Sequence, residues 1–370
     1  MPSLHRRPSR VAIIGTGGIA HAHAEAVREL GDKAELVAVA DIDENRARGF
    51  AEQFGAERFY TDAAVLLASE SLDLVHICTP PKSHVPLALL AQRAGVPALV
   101  EKPIALSLEE IDRLVASEER TGVPVLTVFQ HRFGEPALRL RRLADSGVLG
   151  RAQVATCETL WYRADEYFEV PWRGRWEVEG GGPTMGHGIH QFDLLLAVLG
   201  PWSRVSAFAA RRSRPTDTED VSIALAEFEN GALATVVNSV VSPRETSRLR
   251  FDYEFATVEV EHLYGYTERD WTFTPAPGHE ELARLWDGDG DEISGHRLQI
   301  EAVLDALADG ERPGVGIDES RRTLEFAAAT YASAFRGLPV GAGEIDRDDP
   351  FFRSMDGGAV PWARVKEVVA

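Results

Sequence analysis

Hydrophobic positions follow two different patterns along the chain. Up to about residue 130, short apolar runs such as "RVAII", "AELVAVA" and "LDLVHIC" alternate with stretches that have the spacing of amphipathic helices. Strands that are apolar on both faces predict a parallel sheet covered by helices on both sides. The first third of the sequence therefore predicts a doubly wound α/β domain.

The pattern changes after about Gly134. Runs such as "GRAQVATCETLWY" and "VSIALAEFENGALATVVNSVV" alternate apolar and polar residues, as half-exposed strands do, and Asn230-Gly231 predicts a hairpin turn. Helical patterns return at residues 295–307 and 319–335. These features predict an α+β domain with a mostly antiparallel sheet.

These patterns divide the chain into residues 1–132, residues 133–340 and a tail, residues 341–370. The tail is acidic and rich in turn-forming residues, so we expect a loose arm.

The first strand of the predicted hairpin has apolar residues at both odd-numbered and even-numbered positions, and therefore on both faces of the sheet. They are Val221, Ile223 and Leu225 on one face and Ala224, Ala226 and Phe228 on the other. A sheet that covers its own helices with one face leaves the other face partly apolar, so we expect a homo-oligomer, a dimer or tetramer, formed through this sheet.

The composition limits the class of protein. Of the 370 residues, 44% are hydrophobic and 26% are charged, as in globular proteins, and the length suits two domains. The 58 acidic and 39 basic residues give a formal net charge of -19, which argues against nucleic acid or an anionic membrane as the main partner. The 2 cysteines are too few for a disulfide framework, and no stretch reaches the ~20 apolar residues of a membrane span. We therefore expect a cytoplasmic protein.

A glycine-rich turn follows the first predicted strand. Gly15-x-Gly17-x-x-Ala20 stands between this strand and a helix, where Gly15 permits a tight turn and Gly17 lets the backbone approach a pyrophosphate. The N-terminus of the helix supplies N–H donors to an anion. The motif predicts a bound dinucleotide, with three further candidate contacts in the same turn, Thr16, Gly18 and Ile19.

Asp41 ends the second predicted strand, where a carboxylate can accept hydrogen bonds from both ribose hydroxyls. Ile42 and Asp43 follow without an adjacent arginine, so a 2′-phosphate would meet like charge there. NAD is therefore favoured over NADP. A helix N-cap is the alternative role for Asp41, although it does not account for the glycines.

Several motifs in a fixed order resemble one enzyme family. Glu101-Lys102-Pro103 follows a predicted strand, with Thr79-Pro80 and His84 upstream. Later come "HRF", "SGVLGRA", "PWRGRW", the glycine-led helix "GGGPTMGHGIHQFD" and "DESRRTLEFAAATYASAFRGLPV". Together these motifs resemble the Gfo/Idh/MocA oxidoreductases, the relatives of glucose–fructose oxidoreductase and inositol dehydrogenase, over nearly the whole chain.

The resemblance implies a Rossmann domain followed by a domain with a large open sheet that mediates oligomer contacts. It implies hydride transfer between NAD(P) and a secondary alcohol of a sugar, polyol, cyclitol or sugar acid. Two alternatives stay open: a glycosidase that retains NAD and works by oxidation, elimination and reduction, and a dinucleotide-binding regulator without catalysis. Residues expected to contact the cofactor are Thr79, Pro80, His84, Glu101, Lys102, Trp172 and Arg173.

Lys102 lies at the end of a predicted parallel strand, where doubly wound folds bind ligands. Its ammonium group can hold a substrate hydroxyl and lower the pKa of that hydroxyl, which eases loss of the proton as hydride leaves. The alternative is a surface lysine that forms an ion pair with Glu101. We favour the catalytic role.

The glycine-led helix places His187, His190 and Asp193 three residues apart. A metal site is one interpretation, but positions i and i+6 of a helix diverge by ~120° and lie ~9 Å apart along its axis. A structural helix start is a second. We favour His190 as the acid–base partner of Lys102, oriented by Asp193, which is also a candidate substrate contact, and we predict no metal.

The resemblance also implies a catalytic trio of Lys, Asp and His. Aligned on the three glycines that begin at Gly180, the His is His190, but the Asp falls on Gly186. His187 is the nearest polar replacement and a third catalytic candidate. One residue along a helix is a rotation of about 100°, so His187 points elsewhere unless the turn is irregular.

The stretch "LWYRADEYFEVPWRGRWEVEG" is expected to line the mouth of the site. Aromatic faces stack on the apolar faces of sugar rings, and arginine binds hydroxyls or carboxylates. Aromatic packing in the core is the alternative for each aromatic residue. The candidate substrate contacts are Tyr162, Arg163, Arg175 and Trp176, next to Trp172 and Arg173.

Overall fold

The computed structural model describes residues 7–288 and 290–365, and its first sheet contains six parallel strands in the order β3-β2-β1-β4-β5-β6. This order reverses direction between β1 and β4, the point at which doubly wound folds bind ligands. The strands are β1 (Ser9–Ile14), β2 (Ala34–Ala40), β3 (Arg58–Tyr60), β4 (Leu74–Ile77), β5 (Ala98–Val100) and β6 (Val125–Thr127). The predicted doubly wound domain is confirmed.

The second sheet contains eight strands in the order β13-β12-β11-β7-β10-β9-β8-β14. All neighbours are antiparallel except β7 and β10, which are parallel. Its strands are β7 (Ala152–Tyr162), β8 (Trp202–Ala210), β9 (Val221–Phe228), β10 (Leu233–Ser239), β11 (Val241–Tyr253), β12 (Ala256–His262), β13 (Trp271–Pro275) and β14 (Val340–Gly341). The predicted large, mostly antiparallel sheet is confirmed.

The helices are numbered in chain order. They are α1 (Gly18–Glu29), α2 (Glu44–Phe54), α3 (Ala63–Ser69), α4 (His84–Ala94), α5 (Leu108–Thr121), α6 (Glu135–Asp145), α7 (Trp176–Glu179), α8 (Ile189–Leu199), α9 (His296–Asp309), α10 (Ile317–Arg336) and α11 (Pro350–Arg353). A π-helical turn, Thr184–Gly188, directly precedes α8. In the part of the chain that the structure describes, no helix has both the length and the apolar composition that crossing a membrane requires.

The chain forms two compact units that are not continuous in sequence. Among the described residues, the first unit contains those up to Ala105 together with Glu110–Val128 and His296–Arg321, and the second contains the others. The predicted boundary after residue 132 lies close to Phe129, where the second unit resumes. The return of residues 296–321 to the first unit was not part of the prediction, which placed the whole of residues 133–340 in the second domain.

Packing explains why α9 belongs to the first unit. Its Ile300, Val303 and Leu304 are buried in one cluster with Val27 of α1 and Leu74 of β4. Burial of each such side chain contributes about 1.5–3 kcal/mol relative to exposure, so the apolar face of α9 completes this core. Sequence periodicity identifies the apolar face of a helix but not the surface on which that face packs.

The β9–β10 hairpin turns at Asn230-Gly231, as predicted. Gly231 has a φ of +88°, and its N–H donates to the carbonyl oxygen of Phe228. The side chain of Asn230 accepts a hydrogen bond from the N–H of Ala232 at 3.0 Å. A residue with a side chain rarely adopts this φ, so the glycine sets the register of the two strands.

The tail differs from the expected loose arm. Phe351 and Phe352 of α11 are buried, as is Met355. The indole N–H of Trp362 donates to the carbonyl oxygen of Asp217 at 2.8 Å. The described part of the tail therefore packs on the second unit through buried aromatic residues. The acidic, turn-rich composition of the tail did not indicate this packing.

Candidate active site

The turn between β1 and α1 has the shape that a dinucleotide needs. Gly15 has a φ of +90°, and a methyl group there would lie 2.7 Å from Cγ2 of Thr79, so only glycine fits. A methyl group on Gly17 or Gly18 would meet no heavy atom within 4 Å. Among the described residues, no side chain caps the N-terminus of α1. Open space and uncapped N–H groups at a helix start fit a pyrophosphate.

Asp41 is held beside this turn. Its Oδ2 accepts hydrogen bonds from the backbone N–H and the hydroxyl of Thr16, both at 2.9 Å, and its Oδ1 accepts from the N–H of Asp43 at 3.0 Å. Burial alone would raise the pKa of Asp41, but these hydrogen bonds outweigh burial and lower it. The N-cap of α2 is Asp43, not Asp41. The helix-cap alternative for Asp41 is therefore excluded, and an ionised carboxylate lies beside the turn.

Glu101 follows β5 and is buried between two histidines. Its Oε1 lies 3.0 Å from Nε2 of His23 and 3.3 Å from Nε2 of His296, and its Oε2 accepts the backbone N–H of Lys102 at 3.1 Å. Burial acts to raise the pKa of Glu101, but the two imidazoles hold it well below its usual range. The carboxylate thus holds the backbone N–H of Lys102. The contact of Glu101 with the cofactor remains a prediction.

The same three side chains have ligand atoms within 4.8 Å of one another, a spacing that a metal ion could bridge. Hydrogen bonds from the two imidazoles to one carboxylate produce the same spacing. His76 extends the group, since its Nδ1 lies 3.1 Å from Nδ1 of His23. Burial lowers the pKa of both His23 and His76, so these rings are neutral at physiological pH.

His84 connects the two loops that carry the predicted cofactor contacts. Its buried ring lies 2.7 Å from the carbonyl oxygen of Thr79 and 2.8 Å from that of Pro103. Burial lowers its pKa, so the neutral ring donates to one carbonyl at a time. Pro80 is exposed next to Thr79. His84 therefore links the loop that contains Thr79 to the loop that contains Pro103.

In the second unit, the glycine-led segment begins irregularly. Thr184–Gly188 is a π-helical turn rather than the start of an α-helix. Methyl groups on Gly181 and Gly182 would collide with Tyr331 and Glu219. Oxygens of the Glu219 carboxylate accept the N–H groups of Gly182 at 2.9 Å and Thr184 at 3.1 Å, and the hydroxyl of Tyr331 at 2.8 Å. The glycines thus let the backbone approach a buried anchor, which sequence reasoning missed because Glu219 lies in no motif.

His190 and His187 lie in different surroundings. The ring of His190 stacks on that of His131 at 5.2 Å between centroids and meets the edge of Phe129 at 6.3 Å. Nε2 of His187 lies 3.4 Å from the hydroxyl of Tyr167, and its ring contacts the edge of Trp161. The two histidines therefore have different neighbours, although their catalytic roles remain predictions.

His190 belongs to a group of imidazoles that the sequence did not indicate. The amide nitrogen of Gln191 lies 3.3 Å from Nδ1 of His131 and 3.3 Å from Nε2 of His262. Burial lowers the pKa of His262 to about 4. His131 stands in the "HRF" motif and was available as a signal, but His262 ends β12 without any local pattern.

Asp193 is buried one helical turn after His190. Arg132 donates to both of its carboxylate oxygens at 2.6 Å, and the hydroxyl of Thr323 donates at 2.9 Å. An ion pair of this kind, with two parallel hydrogen bonds, supports a structural role for Asp193. Its predicted substrate contact gains no support from this placement.

Aromatic and arginine side chains cluster around Tyr167, and we call Trp161, Arg163, Tyr167, Arg173 and His187 the Tyr167 cluster. Cζ of Arg173 lies 3.8 Å and Cζ of Arg163 5.5 Å from the centroid of the Tyr167 ring. Both arginines therefore lie against one aromatic ring, whereas the predicted contacts with a substrate remain predictions.

The other predicted substrate and cofactor contacts in this segment differ in how exposed their side chains are. Trp172 is half-buried and lies 4.5 Å from Cζ of Arg173, and Tyr162 is exposed with Cζ of Arg214 over its ring. Arg175 donates to the carbonyl oxygen of Pro171 at 2.6 Å. Trp176 is buried, packs against Tyr331 and donates to the carbonyl oxygen of Asp217. For Trp176, core packing was the better interpretation.

A six-stranded doubly wound sheet with an open glycine-rich turn and an adjacent carboxylate has the features of a dinucleotide-binding Rossmann domain. Residues 9–129 match the family model for the oxidoreductase family with an NAD-binding Rossmann fold, and residues 137–259 match the GFO/IDH/MocA C-terminal domain. The chain therefore belongs to the Gfo/Idh/MocA family of oxidoreductases, as the sequence motifs predicted.

Relatives of similar length support this assignment. The chain is 34% identical to the D-glucoside 3-dehydrogenase of Escherichia coli over 361 residues, which cover 90% of this chain and 97% of the relative. It is 30% identical to a D-apiose dehydrogenase of Paraburkholderia graminis over 376 residues, 94% of each chain. The WlbA dehydrogenase of Bordetella pertussis, solved with NADH and UDP-GlcNAcA, is 26% identical with a TM-score of 0.81, covering 90% of this chain and 99% of WlbA.

Proposed function

We propose that this protein reversibly oxidises a secondary alcohol of a sugar, polyol, cyclitol or sugar acid with NAD. The observation that carries the proposal is the open β1–α1 turn with the Asp41 carboxylate beside it, which suits a pyrophosphate and an unphosphorylated ribose. Bound NAD supplies the hydride acceptor. The names of the relatives, which include apiose and glucoside dehydrogenases, support a polyhydroxylated substrate.

Lys102 and His190 are the proposed proton-handling residues. The Lys102 backbone is held by the buried Glu101 carboxylate, and its ammonium group would hold the substrate hydroxyl and favour the alkoxide. His190 would receive the proton, because an imidazole exchanges protons near neutral pH. His187 is a weaker candidate, since its surroundings are those of the Tyr167 cluster.

We further propose NAD rather than NADP as the preferred cofactor. Thr16 and the backbone of Asp43 fix the Asp41 carboxylate, so it cannot turn away from a 2′-phosphate without losing three hydrogen bonds. The side chain of the next residue, Ile42, is 96% exposed and offers no positive charge.

An assay of NADH formation at 340 nm across sugars, polyols, cyclitols and sugar acids tests the proposed function. We expect substrate-dependent NADH formation with at least one class. Native mass spectrometry of the purified protein shows whether NAD is retained. Release of an aglycone from glycosides without net NADH formation would contradict simple oxidation and support the redox-elimination alternative.

The outer face of the second sheet supports a proposed homo-oligomer. Phe208 is 80% and Leu225 60% exposed, and both lie on the same face as Ile223, Leu233 and Val154 in the strand register. An apolar face of this kind is unfavourable in water. We propose that a second copy of the chain covers it.

A further inference from the structure

The π-helical turn before α8 is held at its start by a side chain from far along the sequence. The carboxylate of Glu219, which is completely buried, accepts the N–H of Gly182 on one oxygen at 2.9 Å and that of Thr184 on the other at 3.1 Å. The first N–H groups of a helical segment have no acceptor within that segment, and Pro183, at the usual capping position, has no polar side chain. Glu219 therefore caps the segment in place of a neighbouring residue.

Two residues of the second sheet hold the rest of the turn. The hydroxyl oxygen of Ser222 in β9 lies 2.7 Å from that of Thr184 and accepts the amide N–H of Asn238 in β10 at 3.1 Å. Asn238 also packs on the last residue of the turn, Gly188, where a methyl group would collide with its amide. Glu219, Ser222 and Asn238 are all buried, and we call these three residues the turn anchor.

The geometry of this turn determines the direction of the side chains in α8. A π-helical turn closes its hydrogen bonds one residue later than an α-helix does. Conversion of Thr184–Gly188 to an α-helical turn would shift α8 by one residue relative to the turn anchor, a rotation of about 100°. His190 is the second residue of α8, and its ring stacks on that of His131 with 15° between the ring planes. The direction of the His190 ring therefore depends on the turn.

We propose that Glu219, with Ser222 and Asn238, is a positioning residue of the oxidation: the turn anchor imposes the π-helical turn and so sets the direction in which His190 presents its imidazole. The inference rests on the proposed role of His190 as proton acceptor. Catalytic groups have to lie within about 0.5 Å and 10–20° of their productive geometry. A shift of α8 by one residue exceeds this tolerance several-fold, so release of the turn should remove proton transfer to His190.

Glu219→Gln tests the turn anchor with little change in volume. An amide has one accepting oxygen, so it cannot accept the N–H groups of Gly182 and Thr184 on two oxygens, and its NH₂ group faces one of them. We expect kcat at 340 nm to fall at least 10-fold, while KM and the Kd for NADH stay within a few-fold of the wild type. An unchanged kcat in Glu219→Gln would overturn the inference.

Tyr331→Phe is the matched control. It removes the hydroxyl that donates to the same carboxylate at 2.8 Å but leaves both backbone hydrogen bonds of Glu219 in place. We expect kcat of Tyr331→Phe to stay within a few-fold of the wild type. Equal losses of kcat in Tyr331→Phe and Glu219→Gln would overturn the inference, because the loss would then follow from any missing hydrogen bond in this core.

The direction of the His190 ring can also be measured without turnover. In protein labelled with ¹³C at Cε1 of histidine, the signal missing from His190→Ala identifies His190 among the 11 histidines. The adjacent ring of His131 gives this signal a ring-current shift that depends on orientation. We expect the His190 signal to move in Glu219→Gln and to keep its position in Tyr331→Phe, with the signal of the exposed His21 as reference. An unmoved His190 signal in Glu219→Gln would overturn the inference.

This measurement separates the inference from the proposed function. A moved His190 signal, with no compound of the panel oxidised, would contradict the proposed function and still support the positioning of His190 by Glu219.

Ser222→Ala takes the place of Glu219→Gln if that variant does not fold. It removes the hydroxyl shared by Thr184 and Asn238 without changing a charge. Thr330→Val is its control, because it removes another buried hydroxyl of the second unit, which donates to the carbonyl oxygen of Phe326. We expect the His190 signal to move in Ser222→Ala and not in Thr330→Val. The same signal position in Ser222→Ala and the wild type would overturn the inference.

Discussion

Nε2 of His23 lies 3.0 Å from Oε1 of Glu101, and both side chains are almost completely buried. The second oxygen of the same carboxylate holds the backbone N–H of Lys102. A histidine of α1 is thereby linked to the proposed catalytic lysine through one ionised group. This link connects the stability of the first unit to the position of Lys102.

Replacement of Glu101 should therefore affect both properties. Glu101→Gln removes the charge that strengthens hydrogen bonds to His23, His296 and Lys102, each worth about 1.5–3 kcal/mol. We expect the free energy of unfolding in urea to fall by about 2–4 kcal/mol and kcat to fall at least 10-fold. Glu57→Gln is the control, because Glu57 is exposed. Wild-type stability and kcat in Glu101→Gln would show that the carboxylate neither stabilises the first unit nor positions Lys102.

The buried imidazole of His262 predicts how stability depends on pH. Its pKa is about 4 in the folded protein and ~6.5 when unfolded, so the folded state favours the neutral ring. The stability due to this residue is complete above pH ~6.5 and is lost as pH falls towards about 4, a difference of about 3 kcal/mol. His23, His76 and His84, whose pKa values are also lowered, act with the same sign.

Urea unfolding at several pH values checks this expectation. We expect the free energy of unfolding of the wild type to decrease between pH 6.5 and 4.5 more steeply than that of His262→Gln, which lacks the titrating ring. Gln191 and His131 face His262 and are present in both proteins. Parallel curves for the two proteins would show that His262 is not protected from protonation.

Cofactor preference can be changed at two neighbouring positions. Asp41→Ser with Ile42→Arg removes the negative charge and adds a guanidinium group for a 2′-phosphate. We expect the wild type to bind NADH at least 10-fold more tightly than NADPH, and the double variant to reverse that order. Fluorescence titration measures both constants. Equal affinities for the two cofactors in the wild type would contradict the role given to Asp41.

The outer face of the second sheet predicts an oligomer that two substitutions disrupt. Phe208→Glu with Leu225→Glu places charges on this exposed apolar face. Light scattering at micromolar concentration should show a dimer or tetramer for the wild type and a smaller species for the variant. Val65→Glu, at an exposed apolar residue of α3, is the control and should assemble normally. A monomeric wild type would refute the proposed oligomer.

Local features could be predicted from sequence, and long-range features could not. The turn at Gly15 and the hairpin at Asn230-Gly231 depend on the backbone freedom of glycine, which is visible in a few neighbouring residues. Glu219, by contrast, anchors Gly182 from far along the chain, as a single acidic residue with no periodic context. The burial of Trp176 could not be predicted either, because an aromatic residue has the same sequence pattern in a core and in a binding site.

His187→Ala separates the two histidines of the glycine-led segment. His187 belongs to the Tyr167 cluster, so we expect a loss of only a few-fold in kcat. Steady-state kinetics with the best substrate measure this loss. A loss of kcat as large as that of His190→Ala would instead make His187 a proton-handling residue placed by the π-helical turn.

Comparison of kcat with NADH affinity in Lys102→Met and His190→Ala tests the central claim most directly. Both residues are proposed to act on the substrate hydroxyl, and His190 is not among the residues expected to contact the cofactor. We predict that kcat at 340 nm falls by ~10²–10⁴ in each variant, while the Kd for NADH in His190→Ala stays within a few-fold of the wild type. Near wild-type kcat in either variant, with normal NADH binding, would contradict the account.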